Sequence, residues 1–490
     1  MKKIIILVSI LFVLSVSSLC IISVAIDSQN DTIAITENVI FGDKSIANGI
    51  KVISKATYDS HLFWETAYTI KEDPKPITKY TFSASEAHFV NSTKRYMFQL
   101  DTDIRYGCDF SIPAEEQEGL ARVYKELYDS CEVGNSVSKT IYLKDVYEYY
   151  PIRLHIELPY VNWSNNDPEN VWNDEPGGEK FVINKFREFF KIPVFDEHGI
   201  EISIRKDKDG VGVGIGSTPF GENFDYYLTT TSAYTEDTVF FTLNNKTRGN
   251  VYADFSLVPG GYGIYSFNYK PALLKASTGI DAYSLANVYP LEPELSVEHL
   301  SVSEDGKYLI MIGSKNNNTY FTVIDTLTMT KHKEIVIENK TIHNVKYIAE
   351  KMAQIASGDY YLNVNERSSV KESENFMMLV FSEEFAIIEI TENGEYELVF
   401  IAKQPNYISD EYQYMDLTAE MVYDGTKLIV VDSLYPDGAY EHCGFYMAIY
   451  DNTGLIYYAT YSSSLDINAD NHDFSYNCYP LTGAYSIIIE

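Results

Sequence analysis

Five cysteines, nine histidines, three tryptophans and only 38 basic residues against 70 acidic ones are the scarcities of this 490-residue chain. The shortage of cations excludes the most: a formal charge of −32, spread along the whole length, repels phosphate backbones and anionic lipid headgroups. Nucleic acid and the membrane surface are therefore not expected partners. The histidines are scattered, and no His-Glu-x-x-His, Cys-x-x-Cys, Gly-x-Ser-x-Gly or Walker sequence occurs, so no local signature marks a catalytic set. "GVGVGIG" at 210–216 has the glycines of a nucleotide loop, but it alternates like a small-residue strand and no helix start follows it.

An apolar run from Ile4 to Ile26 opens the chain, preceded by Lys2 and Lys3 and closed by Asp27. It reads as an export signal. It is long enough for a membrane span of ~20 residues, yet Ser23 and Ala25 place small residues where a signal peptidase cuts. Residues 1–26 are thus either a signal peptide removed after Ala25 or an anchor that tethers an external body through residues 4–26. Cys20 does not make a lipoprotein signal, because Leu19 stands where a small residue is required.

Beyond this segment stand Cys108, Cys131, Cys443 and Cys478. Two disulfides are allowed in an exported chain, and sequence proximity pairs Cys108 with Cys131 and Cys443 with Cys478. The stretch "PAEEQEGLARVYKELYD" between the first two reads as a helix spanning ~25 Å, which the flanking residues barely return. Free buried thiols are the alternative for that pair.

Apolar residues make up 45% of the chain and tyrosine is abundant at 41, enough to build a core. The length calls for several domains or for one architecture that grows by repetition. Repetition is visible. "SVSEDGKYLIMIGSKNNNTYFTVIDTLTMTKHKEIVI" (301–337) reads as four short strands separated by polar turns. Segments 237–269, 374–402 and 425–461 repeat the pattern with Gly-Gly or Asn-Gly turns, where tight hairpins need positive φ. Val239, Tyr308, Phe376 and Leu428 occupy equivalent positions, and the apolar runs around them suit strands buried on both faces.

"SVSEDGKYLIMIG" followed by "YFTVIDTLT" resembles the Ser-x-Asp-Gly-Lys-Tyr repeats of exported β-propellers of the YVTN and TolB-like type, although the Trp-Asp and Gly-His marks of WD40 repeats are missing. The resemblance implies a mainly β fold, a β-propeller of about seven four-stranded blades, with six to eight tolerated, at roughly 60 to 65 residues each. The propeller would occupy 27–490, with "TIAITENVIF" and the terminal "AYSIIIE" pairing in one blade to lock the ring. The alternative splits the body near Tyr150-Pro151 into an α+β module, 27–150, and a propeller-like part, 151–490. Two helices interrupt the first half as insertions, one striped by Leu120, Val123, Tyr124 and Leu127, the other by Val182, Phe186, Phe189 and Phe190.

Two surfaces carry candidate chemistry. In "YVNWSNNDPENVWNDEPGGE" (160–179), Tyr160, Trp163, Trp172 and Asp174 combine rings that stack on sugars with groups that bond their hydroxyls, or form a protein hot spot; the alternative is that the rings cover the adjacent helix. In "DINADNHD", Asp466, Asn468 and Asp470 alternate as at the start of a calcium loop, but Asn471 and Asn477 stand where its Gly and closing Glu belong, so a solvated acidic loop is the competing reading. No cofactor is expected beyond a structural calcium ion. Sequons at Asn91, Asn162, Asn245, Asn317 and Asn339 matter only in a glycosylating host, whereas the Ile, Lys, Asn and Tyr bias reads as bacterial.

The expected role is that of an exported, acidic, non-catalytic binding or scaffold module for a protein or a cell-envelope carbohydrate. A carbohydrate-active hydrolase or lyase with a loop-built acid pair is one alternative. A membrane-anchored extracellular sensor or assembly factor is the other.

Overall fold

The computed structural model describes residues 12–18, 21, 24, 34–58, 62–82, 97–102, 104, 108–158, 161–164, 178–208, 213–220, 226–270, 278–342, 370–403, 420–433, 442–466 and 485–489, apart from single or paired positions within the longer ranges. The chain divides into two compact units, one of Met1–Ser92 with Ile342–Glu490 and one of Thr93–Thr341. Tyr150-Pro151 lies inside the second. Among the described residues no helix is long and apolar enough to cross a membrane. Most of residues 4–26 lies outside the described residues.

In chain order the first strands are β1 (Ile35–Gly42), β2 (Ile50–Tyr58), β3 (Leu62–Thr69) and β4 (Ile77–Phe82). The second unit holds β5 (Met97–Thr102), α1 (Gly119–Ser130), β6 (Ser136–Tyr142), β7 (Ile152–Leu158), β8 (Val161–Ser164), α2 (Glu179–Phe189), β9 (Gly199–Lys206) and β10 (Val213–Phe220). It continues with β11 (Thr230–Tyr234), β12 (Thr238–Leu243), β13 (Gly263–Tyr269), β14 (Ile280–Pro290), β15 (Ser296–Val302), β16 (Tyr308–Lys315), β17 (Asn318–Asp325) and β18 (Thr330–Ile337). The chain then returns to the first unit through β19 (Val370–Glu372), β20 (Phe376–Val380), β21 (Glu384–Ile390), β22 (Tyr396–Lys403), β23 (Glu420–Tyr423), β24 (Leu428–Ser433), β25 (His442–Asp451), β26 (Gly454–Asp466) and β27 (Tyr485–Ile489).

The fold is mainly β, built from small antiparallel sheets. Among the described residues, β11 to β14, β15 to β18 and β19 to β22 are each four-stranded meanders of hairpin-linked neighbours. Val239, Tyr308, Phe376 and Leu428 sit in β12, β16, β20 and β24, the second strand of each such sheet. The strands before them in three of these sheets, β11, β19 and β23, are only three to five residues long, too short to show a period, which hides them from pattern reading.

The Ser-x-Asp-Gly-Lys-Tyr repeat has a physical account at the β15–β16 turn. The Ser303 hydroxyl donates to Asp305 Oδ1 (2.8 Å) and accepts the Tyr308 amide (2.9 Å), while Asp305 also takes the Lys307 amide (3.1 Å). Gly306 supplies the φ of +72° that a side chain would oppose. Thr235 and Asp237 build the corresponding turn before β12, and the Asp424 carboxylate that before β24. Asp325 and Asp451 cap the later hairpins of their sheets in the same way. Part of the acidic excess is therefore turn chemistry.

Central strands are buried on both faces. In β24, Leu428 and Val430 join one apolar cluster, with Phe376, Phe385 and Phe400 of the neighbouring sheet; Ile429 and Val431 join another, with Val52, Tyr68 and Ile70. β25 alternates likewise, Tyr446, Ala448 and Tyr450 to the first cluster, Phe445, Met447 and Ile449 to the second. Each such side chain contributes about 1.5–3 kcal/mol of burial, and only because a neighbouring sheet covers each face.

Both chain ends depart from the expected pairing. β1 and β27 do not pair with each other. β27 joins the β2–β3–β4 sheet through β2, Ile50 opposite Ile489, and β1 joins the β23–β26 sheet through β26, Ile35 opposite Ser463. Each terminal strand is thus an edge strand of the sheet it joins.

The two helices are also more than insertions. Residues 97–220 form two interleaved three-stranded sheets, β5–β7–β8 and β10–β9–β6, with β6 lying in sequence between strands of the other sheet. Leu120, Tyr124 and Leu127 of α1 and Val182, Ile183 and Phe186 of α2 are core residues of this unit, with Phe190 just past α2. Phe186 lies 5.9 Å from Phe98 and 5.5 Å from Phe267, ring centre to ring centre. The expected Cys108–Cys131 disulfide is not made; both thiols are free. Cys131 instead closes α1, its backbone amide bonding Leu127 and Tyr128 and its thiol donating to the Asn135 carbonyl at 3.4 Å.

Hydrogen bonds from the Lys307 ammonium and amide, then from Ser303, hold Asp305 at about 2, below its usual 3.8. A depressed acid stabilises above its ordinary range and loses that contribution as pH falls through the folded value. Asp305→Ala is expected to lower stability by about 0.5–1 kcal/mol near neutrality. In urea titrations the difference from the parent should vanish between pH 3.8 and about 2; a difference constant across that range would refute the turn's account.

Candidate functional site

Of the residues singled out by sequence, Tyr160, Trp172, Asp174, Asn468, Asp470 and Cys478 lie outside the described residues. Trp163, Cys443 and Asp466 are described in backbone only. Trp163 is not in a loop: "VNWS" forms β8, and Trp163 faces Ile156 of β7 in register. Asp466 ends β26 opposite His442, beside Cys443 near the start of β25. Among the described residues no group of three His, Cys, Asp or Glu is placed to hold a metal ion.

Topology nevertheless gathers the candidate segments into two places. In an antiparallel four-stranded meander, the connection entering the first strand, that between the second and third, and that leaving the fourth share one end of the sheet. For β23 to β26 these connections are 404–419, 434–441 and 467–484. Cys443 and Asp466 stand at the strand termini of that end.

The second place is in the other unit. Connection 165–177 leaves β8 just after Trp163 and enters α2, whose first turn carries Phe181. Phe181 is half-buried and its ring lies 5.3 Å from that of Tyr283 on β14, which is 71% exposed. The Lys185 ammonium sits 5.7 Å from the Phe181 ring centre and donates to Glu188 at 2.7 Å. Connection 165–177 thus leads into a helix turn whose Phe181 meets the exposed ring of Tyr283, which sequence reading missed because Tyr283 alternates normally along its strand.

Two buried polar clusters were also illegible in sequence. In the first unit, Glu37 of β1 accepts hydrogen bonds from Tyr457 (3.1 Å) and Tyr461 (3.3 Å) of β26 and an ion pair from Lys44. The two tyrosine hydroxyls are 2.8 Å apart, and the Tyr461 ring stacks on Phe445 and meets Tyr68 edge-on. Burial, followed by the Glu37 charge, pushes Tyr68 up to about 12. Gly42 ends β1 where a side chain would run into the Ile456 carbonyl, so the strand seats closely. This cluster clasps β1 to β26.

In the second unit, His198 is buried, with Nδ1 2.9 Å from the hydroxyl of Tyr150, whose ring also meets those of Phe195 and Tyr226. Asn245 is buried too, its amide donating to the Pro293 (2.5 Å) and Leu295 (3.0 Å) carbonyls and accepting from Ser296 (2.9 Å). The sequon at Asn245 is therefore closed in the folded chain. Asn317 and Asn339, by contrast, are exposed with positive φ.

No family model and no curated protein matches the chain. Solved structures that align with it include a candidate 6-phosphogluconolactonase from Bacteroides fragilis, at 10% identity over 90% of this chain and 98% of that one, with a TM-score of 0.28. The β-propeller domain of the Trilobed protease from Pyrococcus furiosus aligns at 11% identity over 53% of this chain and 67% of its own, with a TM-score of 0.20. A post-proline cleaving enzyme from Rickettsia typhi aligns at 9% identity, 86% and 50% coverage and a TM-score of 0.23. Scores this low carry no argument about activity.

Burial depresses the His198 pKa from 6.5 to about 4, so the core holds the neutral ring. The stability this confers is present above 6.5 and is lost as pH falls toward about 4, by at most about 1.4 kcal/mol per pH unit. Urea midpoints should decline across that window for the parent and decline less for His198→Gln; parallel profiles would show that His198 does not titrate against folding.

Proposed function

We propose that the chain is an exported β-propeller of about seven blades that works as a non-catalytic binding or scaffold module, its loops facing a protein or a cell-envelope carbohydrate. The observation that supports this reading best is the crossing of the chain ends. β27 joins the sheet that follows β1, and β1 extends the sheet that precedes β27, so both chain ends are fastened into sheets. Loops carried on such a scaffold are the usual place for recognition. Sheets whose central strands are covered on both faces call for a neighbour on each side, which radial stacking provides.

In this reading Tyr160, Trp163, Trp172 and Asp174 contact the ligand. The body acts outside the cytoplasm, released or tethered through residues 4–26. Cys443 and Cys478 form a disulfide at the loop-bearing end of the β23–β26 sheet, where Asp466, Asn468 and Asp470 hold a structural calcium ion.

Replacing 165–177 by a short Gly-Ser linker, or Trp172→Ala alone, is expected to weaken binding to a glycan or protein partner by about tenfold or more while far-UV circular dichroism and Tm hold. Retention of every detectable partner would sink the proposed face. For the metal, excess EDTA should lower Tm and calcium restore it, with a stabilisation of about 2.7 kcal/mol at a hundredfold excess over Kd. Equal Tm values with and without calcium would remove the ion.

A further inference from the structure

Helix α2 is a basic strip on an acidic chain. Residues 179–191 hold four cations, Lys180, Lys185, Arg187 and Lys191, against two acids, Glu179 and Glu188. Helical spacing sorts them by depth. Val182, Ile183, Phe186 and Phe190 are buried, whereas Lys180, Asn184 and Arg187, at intervals of four and three, form an exposed row on the helix, and Lys191, two residues past its end, is exposed as well. Phe181, Lys185 and Glu188 run alongside. Arg187 is fixed in this row by donating from Nε and Nη2 to the Ile152 carbonyl, at 3.2 and 3.1 Å.

Rings accompany the cations at both ends of the helix. Tyr283, 71% exposed, stands against Phe181 at one end, with Lys185 5.7 Å above the Phe181 ring. At the other, Lys191 lies 6.0 Å from the centre of the half-buried Tyr149 ring. The eleven-residue helix makes this alternation of ring and cation ~16 Å long, a reach of several sugar units.

We propose that this strip binds an anionic polysaccharide, with sugar rings against Tyr283 and Tyr149 and their carboxylates or phosphates against Lys180, Lys185 and Lys191. It rests on the binding role proposed above and names the polymer. A protein partner fits less well, because interface cores exclude lysine and the rings here are separated and rimmed by charge. A neutral glycan would leave the cation row without purpose. The repulsion of the −32 chain does not forbid the contact, since salt screens charges beyond ~8 Å and leaves the local row to decide.

The test uses the mature chain and four probes in affinity electrophoresis: polygalacturonate, phosphomannan, dextran and a thymidine oligonucleotide. Binding of polygalacturonate or phosphomannan, but not of dextran, is expected, and which of the two binds distinguishes carboxylate from phosphate. Tyr283→Ala should weaken it about tenfold and Tyr283→Phe should restore it. Lys185→Gln with Lys191→Gln should weaken it and flatten its salt dependence. Failure of both anionic polymers, equal binding of dextran or of the oligonucleotide, or indifference to Tyr283→Ala would each overturn the inference. The linker replacement of 165–177 separates the two readings: loss there with Tyr283→Ala unaffected leaves the loop face and removes the strip, and the converse leaves the strip.

Discussion

β1 leaves the sheet it precedes to pair with β26, and β27 leaves the sheet it follows to pair with β2, so each end of the chain is held by the segment next to the other end. The first unit depends on this exchange. Its β23–β26 sheet is covered on one face by side chains from β20 to β22, on the other by side chains from β2 and β3. The exchange covers the free edges of β2 and β26 with strands drawn from the opposite end of the chain, leaving β27 and β1 as the edge strands. The polar seal on β1 has the same logic. Glu37 leaves water only where two tyrosines and a lysine replace it, an arrangement that fixes register as well as position.

The acidic composition then takes on a different meaning in different places. Asp305, Asp325, Asp424 and Asp451 are committed to backbone amides at hairpin turns, where a carboxylate substitutes for water on donors that the sheet leaves unpaired. Such residues recur because hairpins recur. Against this background the cations of α2 are conspicuous, since nothing about packing a helix by Val182, Phe186 and Phe190 requires its outer row to be basic. A helix can be held by one face and used by the other.

What was legible in the sequence follows from how much of each element's burial is encoded locally. β16, β17, β20, β21, β24 and β25 are apolar on both faces and bounded by turn residues, so their existence and spacing can be read directly. β19 and β23 are three and four residues long, too short to show a period, and only the neighbouring strand makes them strands. The end-crossing was illegible for another reason: "AYSIIIE" can pair with either early strand on pattern alone. Interleaving of β6 between β5 and β7 likewise has no local signal.

The candidate sites divide along the same line. Trp163 and Trp172 were found because tryptophan is rare in the chain, yet rarity says nothing of placement, and Trp163 proved to sit in β8. Tyr283 is one of 41 tyrosines and drew no notice, although its exposure and its contact with Phe181 place it where the tryptophan-bearing connection enters α2. Composition ranks residue types; only the fold ranks individuals. The same holds for Asn245, whose sequon matches those of Asn317 and Asn339 in pattern but whose amide is used up inside the second unit. A surface for recognition is therefore better sought among side chains that the fold holds in place without burying, and α2 with Tyr283 and Tyr149 meets that condition within the described residues.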